Sequence, residues 1–247
     1  MIDDPFSLAA KRLLVTGASS GLGRAIAIAC AARGATIVAT GRDESRLGGT
    51  HSALNGQGHL AVVADLNRPD DRDRLVAACG TIDGIVHSAG ISRLAPMRLA
   101  TSQHLAEVWR INYEAPILLT QKLLVGNRVA AGSSILFMSS IAAYIGVAGV
   151  GAYSGTKAAL IATMRCMAVE LAKRSIRVNC LAPGLVETPL LAATEAMVTS
   201  LDAQRAAYPL GFGRPEDIAN AAIFFLSGAS RWITGSTLVM DGGLTIG

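Results

Sequence analysis

Tyr153 and Lys157 are the residues of this 247-residue sequence whose types and spacing most directly offer chemistry. From Ala152 to Ala172 the apolar residues recur at helical spacing (Ala158, Ile161, Met164, Ala168, Leu171), which predicts a helix and sets Tyr153 and Lys157, at i and i+4, on one face. A phenol and an ammonium would then point the same way. Free tyrosine has a pKa of about 10, and an acid/base working near neutrality needs that lowered by ~2 units, roughly 3 kcal/mol. A lysine charge ~4 Å away at an effective dielectric of ~20 stabilises a phenolate by about 4 kcal/mol, so the pair suffices in magnitude. The expectation is a Tyr153 whose pKa is lowered by Lys157. Taken alone, the same spacing also describes an exposed polar first turn of a helix.

The elements that would position this pair alternate along the chain. Leu13 to Thr16 is a short apolar strand running into Gly17-Ala18-Ser19-Ser20-Gly21-Leu22-Gly23 and then the apolar stretch Ala25 to Ala32. Strand, glycine turn and helix in that order let backbone N–H groups approach a pyrophosphate, and a helix N-terminus adds about half a positive charge. A simple tight turn is the other account of the glycines; the strand-to-helix setting favours nucleotide binding. A second strand, Thr36 to Thr40, ends in Gly41-Arg42-Asp43, where dinucleotide folds place the residue that reads the adenosine ribose. An acid at position 41 would favour NAD. Gly41 instead makes room, and the Arg42 guanidinium can pair with a 2′-phosphate, so NADP(H) is the expected cofactor with NAD(H) second. Arg42 is equally describable as a solvated loop charge.

His59 to Ala64 reads as a third strand ending at Asp65-Leu66; the Asp65 carboxylate could accept from an adenine amino group or cap the following helix. Ile82 to His87 is a fourth strand, and the small Ser88-Ala89-Gly90 after it leaves room for a ligand against the backbone. Helical periodicity runs from about Ser102 to Asn127, with Asn112 and Pro116 inside it predicting a kink. A fifth strand, Ser133 to Ser140, delivers Ser139 and Ser140 to its carboxyl end, the edge where open parallel sheets bind ligands. Ile176 to Leu181 is a sixth strand stopped by Pro183-Gly184, and 185–213 is too long for a plain connection, which predicts a partly helical lid. Pro215 opens a helix to about Leu226, and Thr237 to Met240 is the last strand. The expectation is an α/β, Rossmann-type doubly wound parallel sheet with right-handed crossovers, a single domain over 1–247.

Composition narrows the function classes. An apolar fraction of 51% with 16% charge excludes a disordered chain. The net charge of +4 comes from scattered Lys and Arg with no basic run interleaved with aromatics, so no nucleic-acid partner is expected. Cys30, Cys79, Cys166 and Cys180 have no metal-ligand spacing and lie in apolar segments, which predicts buried reduced thiols and no metal site. Asp3 and Asp4 stand where a signal peptide would be basic, and no apolar run approaches the ~20 residues that span a bilayer. A cytoplasmic location and no membrane partner are expected.

With T-G-A-S-S-G-L-G at 16 to 23, Asp65, A-G at 89 to 90, Asn112, S-S at 139 to 140, Y-S-G-T-K at 153 to 157, P-G-L-V-E-T-P at 183 to 189 and R-P-E-D-I-A at 214 to 219, the chain resembles the short-chain dehydrogenase/reductase family over nearly its whole length. The interval from Ser140 to Tyr153 matches the family's. The resemblance implies a hydride-transfer enzyme interconverting a small ketone or aldehyde and an alcohol. Tyr153 would be the acid/base, Ser140 would hold the substrate oxygen, Lys157 would bind the nicotinamide ribose, and Asn112 would hold the kinked helix and a water leading from Lys157 to solvent. It implies that Gly17, Ser19, Ser20, Gly21, Leu22, Gly23, Asp65, Leu66, Ala89, Gly90, Val186 and Thr188 line the cofactor, that Pro183 and Gly184 shape the nicotinamide pocket, and that the protein is a homotetramer built partly through the Tyr153 helix and the one before it.

The chain departs from the family in places. The usual N-N-A-G is His87-Ser88-Ala89-Gly90, with His87 read as a satisfied structural side chain; Ser20 replaces a residue that is often basic in NADP-preferring relatives; and P-L-G-F-G-R-P before the last helix is one residue short. The overall pattern is similar to the β-ketoacyl carrier-protein reductases, although of their two docking arginines only Arg174 has a match, the other position being Ala131. A non-catalytic nucleotide sensor would be expected to lose Tyr or Lys, and an extended epimerase or dehydratase would carry G-x-x-G-x-x-G and a longer C-terminal part. Leu185, Leu190, Met197 and Tyr208 in the lid fit either an apolar substrate pocket or helix packing.

Overall fold

The computed structural model describes residues 4–191 and 201–246. Seven parallel strands form one sheet in the order β3-β2-β1-β4-β5-β6-β7: β1 Arg12–Thr16, β2 Thr36–Gly41, β3 Leu60–Val63, β4 Ile82–His87, β5 Val129–Met138, β6 Arg177–Pro183 and β7 Thr237–Met240. Strands β1, β4, β5 and β6 are covered on both faces, which is why they read as near-continuous apolar runs.

On one face α1 (Gly21–Ala32) packs against α8 (Pro215–Leu226) through Ile26, Ala27, Cys30, Ala219, Ala222 and Ile223. On the other, α3 (Pro69–Cys79), α5 (Ala115–Val125) and α6 (Gly151–Leu171) bring Leu75, Leu119, Leu123, Leu160 and Met164 onto the strands. Helices α2 (Glu44–His51), α4 (Ser102–Trp109) and α7 (Leu201–Ala206) complete the described set of α-helices. The chain leaves β1 in one direction to β2 and returns to its other side as β4, so the sheet's topological switch point lies between the carboxyl ends of β1 and β4, where ligands bind in such folds.

The predicted kink is a π-helical turn, Arg110–Glu114, joining α4 to α5 with buried Asn112 at its centre. Strand β5 begins four residues before the expected Ser133, with Gly132 at φ +77° and a register shift against β4 between Ile82 and Gly84. Strand β3 starts one residue late because the His59 imidazole Nδ1, not a strand carbonyl, accepts the Ile37 N–H at 3.0 Å. Among the described residues no helix is long and apolar enough to cross a membrane.

Candidate active site

The β1–α1 turn is pressed against the exit of β4. A Cβ on Gly17 (φ +66°) would land 2.8 Å from the Ala89 Cα, and one on Gly23 would overlap the Gly17 carbonyl oxygen. Thr16 Oγ1 accepts from the Ser88 and Ala89 amides at 3.1 and 3.2 Å, locking the two strand ends together at the switch point. Ser20 occupies the N-cap of α1 in extended conformation without making a side-chain cap bond, so the first turn of the helix keeps donors that its own cap does not take.

A cleft of about 410 Å³ opens over this turn. Of the residues assigned to a cofactor, Gly17, Ser19, Ser20, Gly21, Leu22, Gly23, Arg42, Asp65, Leu66, Ala89, Gly90, Tyr153, Lys157 and Thr188 line it. Pro183, Gly184 and Val186 do not: Pro183 ends β6, Gly184 is packed against the Tyr208 ring and the Asp241 Cα, and Val186 is buried. A floor stripped of side chains, with an uncapped helix start on one wall, fits a dinucleotide.

At the β2 end a Cβ on Gly41 would come 2.9 Å from Ser19 Oγ, a close approach to a movable side chain, and Arg42 stands exposed on the wall. Asp43 caps α2, accepting the Arg46 N–H at 2.9 Å and holding Arg46 Nε at 2.9 Å. The Arg46 amide above all keeps the Asp43 carboxyl below the usual carboxylate range. Arg46 itself lines the cleft beside Arg42, a second cation that the sequence reading missed; an Asp-x-x-Arg at the start of a helix was the available signal. Asp65 is not a helix cap. Its Oδ1 accepts the Asn67 N–H at 3.0 Å, its own N–H goes to Asp71, and α3 starts at Pro69 with Arg68 at the N-cap.

At the β5 end the reactive groups converge. Asn112 is held by Ile91 on both sides, Oδ1 accepting the Ile91 N–H at 2.8 Å and Nδ2 donating to the Ile91 carbonyl at 2.9 Å. A Cβ on Gly90 would sit 3.1 Å from Asn112 Oδ1 and 3.6 Å from Lys157 Nζ, so only glycine leaves those two groups adjacent across open space. Ser139 Oγ donates to the Lys157 carbonyl, anchoring α6 to β5, while Lys157 Nζ donates to the Met138 carbonyl at 2.8 Å. Ser140, outside the cleft lining proper, accepts the Ala142 N–H at 3.2 Å, and its hydroxyl lies near enough to Tyr153 to favour the phenolate.

The electrostatics correct the expectation for Tyr153. Lys157 Nζ lies 5.5 Å from the Tyr153 ring centroid, and it is burial that dominates both groups. Burial raises the Tyr153 phenol, with the Ser140 hydrogen bond opposing, and pushes the Lys157 ammonium down to about 8. The coulombic argument from sequence left out the desolvation that accompanies any pair sunk at a strand end.

Other expectations are amended too. His87 is buried and stacked on Phe137, its pKa pushed down to about 3 by burial. Thr120 Oγ1 uses its proton on the Pro116 carbonyl, so the His87 Nε2–H donates to Thr120 at 2.8 Å and the bare Nδ1 has no hydrogen-bond partner; the side chain is structural, but only half satisfied. Tyr208 packs rather than lines a pocket: its OH accepts the Leu185 N–H, and its ring meets Phe212 edge-on. Leu190 lines the cleft, and Met197 lies outside the described residues. Arg174 spends its guanidinium on the Val129 carbonyl. Cys30, Cys79 and Cys180 are buried, whereas Cys166 is exposed. Among the described residues no cluster of His, Cys, Asp or Glu could hold a metal ion.

The chain is similar to known proteins over nearly its whole length. A family model described as enoyl-(acyl carrier protein) reductase matches residues 17–245. The chain is 35% identical to carbonyl reductase family member 4 of Danio rerio over 94% of its own length and 97% of the relative's. It is 36% identical to the D-threitol dehydrogenase of Mycolicibacterium smegmatis over 99% and 96%. A protein of Agrobacterium tumefaciens, provisionally named 2-deoxy-D-gluconate 3-dehydrogenase and solved with bound NADP, superposes with a TM-score of 0.88 at 31% identity, covering 99% of this chain and 100% of that one. Its whole-length match to these proteins, on a seven-stranded parallel sheet with the Ser140, Tyr153 and Lys157 side chains gathered at one strand end, makes the chain a member of the short-chain dehydrogenase/reductase family of nicotinamide-dependent oxidoreductases.

Proposed function

We propose that this protein is an NADP(H)-preferring reductase of ketones or aldehydes, and in reverse a secondary-alcohol dehydrogenase, with Tyr153 as the acid/base. The observation that carries the reading is the gathering of Tyr153 and Ser140 with the buried Lys157 and Asn112 at the edge of a glycine-floored cleft. A bound nicotinamide supplies the hydride to the carbonyl carbon and is itself oxidised. Tyr153 gives its proton to the carbonyl oxygen, which becomes the hydroxyl. Ser140 donates to that oxygen as charge develops on it. Lys157, fixed by the Met138 carbonyl, would offer its remaining donors to the ribose of a bound cofactor, and a side chain at Gly90 would crowd both it and Asn112. The buried thiols agree with a cytoplasmic location. Exposed Leu105 and Trp109 on α4 and Val169 on α6 agree with a homotetramer joined through those helices, which gel filtration would check.

The test is a screen of ketones with NADPH and NADH, followed by nicotinamide absorbance. Tight nucleotide binding with no turnover of any carbonyl or alcohol would favour a nucleotide sensor instead.

Lys157 also predicts a pH dependence. Its folded pKa is depressed to about 8, so the ammonium is present below that value and lost as pH rises through it. Nucleotide affinity is expected to fall severalfold between about pH 7 and about pH 9, the difference between a charged and a neutral donor to the ribose. Fluorescence titration at several pH values measures it. Lys157→Met should bind more weakly throughout and lose the inflection; an inflection unmoved in that variant would assign it to another group.

A further inference from the structure

The charges of the cleft are segregated. Arg42, Asp43, Arg46 and Asp65 all border its β2–β3 end. Beside Tyr153 the described walls are Ile91, Ile111, Met138 and Thr188-Pro189-Leu190, with Lys157 the one cation among them, buried and already donating to a backbone carbonyl. The nearby charges have partners: Glu187, next to Thr188, is paired with Arg205 at 2.7 Å, and Arg93 with Glu107 at 3.0 Å.

The two loops flanking the Ser140–Tyr153 couple continue the pattern. From Ser139 to Thr156 no Asp, Glu, Lys, Arg or His occurs. Tyr144 and Val147 on that stretch are each 50% exposed. The loop after β4 is tied to it by the Ala95 N–H on the Gly149 carbonyl at 2.8 Å and carries Met97, 71% exposed, whose methyl reaches Gly151, two residues from Tyr153. Met97, Arg98, Tyr144 and Val147 lie outside the lining of the cleft itself, at its approach, and Arg98 is the one charged residue among them. A carboxylate or phosphate brought into the cleft beside Tyr153 would give up its hydration and find, among the described lining residues there, no cation but the already engaged Lys157, whereas an alkyl or aryl group would cover apolar surface that now faces water.

Resting on the oxidoreductase reading above, we propose that the substrate is a neutral, apolar carbonyl compound or secondary alcohol, of the medium-chain methyl ketone or aryl alkyl ketone kind. Sugar acids and sugar phosphates are turned away. The site differs in this from what the name of the NADP-bound Agrobacterium relative implies for that protein.

The test is kcat/KM with NADPH for butanone, hexan-2-one and octan-2-one, for 7-oxooctanoate and for fructose. Each added methylene is expected to raise kcat/KM about two- to fourfold. Octan-2-one should exceed its carboxylate-ended counterpart by about tenfold or more. A flat series, or a preference for 7-oxooctanoate or fructose, overturns the proposal. Val147→Asp, an exposed change that leaves the fold alone, should lower octan-2-one kcat/KM by about tenfold with the NADPH Kd unchanged. An unaffected value for that variant counts against these loops bordering the site. Calorimetry on the NADP-loaded protein with octan-1-ol and octanoate separates the two readings. Tighter binding of the alcohol with no turnover of any ketone would refute the oxidoreductase reading while supporting an apolar ligand, and tighter binding of octanoate overturns the proposal whatever the turnover.

Discussion

Tyr153→Phe is expected to lower kcat for ketone reduction by ~10²-fold or more while the NADPH Kd changes by less than about twofold. The substitution keeps the ring and its packing in the half-buried first turn of α6 and removes only the hydroxyl. Burial raises the phenol's pKa above its ordinary value near 10, so at neutral pH the group holds the proton that reduction of a carbonyl requires. Oxidation of an alcohol needs the phenolate and should rise only as pH approaches that raised value. Ser140→Ala should cost a similar factor in kcat, because the hydroxyl that favours the Tyr153 phenolate would also hold the carbonyl oxygen in the transition state. Stopped-flow and steady-state rates on one verified ketone decide it. Near-wild-type turnover by Tyr153→Phe would remove Tyr153 from the proton transfer and with it the proposed mechanism.

The sheet and the reactive pair were legible because both rest on short-range patterns. Buried parallel strands are apolar runs whatever surrounds them, and a tyrosine and a lysine four apart on a helix share a face by geometry alone. What escaped depends on distant neighbours. Helix α2 contains Gly48 and Gly49 and has little intrinsic preference for its state; buried Leu47 and Thr50, the latter donating to the Ala18 carbonyl, hold it in place. Asp65 and Asp43 look alike as acids after a strand, yet only Asp43 caps a helix, since Pro69 moved the start of α3 downstream. Pro116 pointed to a kink, but its form, a π-turn that aims Asn112 at Ile91, follows from contacts with the loop after β4. Tyr208 was open to two readings until its hydroxyl was seen on the Leu185 amide. The sign of the Tyr153 shift was missed for the same reason: a charge partner four residues away can be read from the sequence, and the depth at which both groups are buried cannot.

Removing Arg42 and Arg46 together should weaken NADPH about a hundredfold and NADH by less than about threefold, because a 2′-phosphate carries up to two negative charges and both guanidiniums stand where β2 meets the cleft. Each charge-assisted contact is worth ~1.5 to 3 kcal/mol, and exposure places these two at the lower end, or about tenfold apiece. Arg42→Ala alone should therefore lose about tenfold on NADPH. The two arginines differ in what they release. Arg42 is a plain loop cation, whereas Arg46→Ala also strips Asp43 of its ion-pair partner while leaving the backbone cap in place. The freed Asp43 oxygen can then accept from ribose hydroxyls, so this variant should lose NADPH affinity and hold or gain NADH affinity. Gly41→Asp should move preference the same way by setting a carboxylate beside the phosphate site, with Ser19 Oγ, 2.9 Å from the new Cβ, rotating aside to admit it. Dissociation constants for both nucleotides, measured by fluorescence titration across wild type and variants, test the argument apart from any substrate. If Arg42→Ala and Arg46→Ala weaken NADH and NADPH alike, or if the wild type prefers NADH, both arginines are solvated loop charges, and Asp43 becomes the group that reads the ribose.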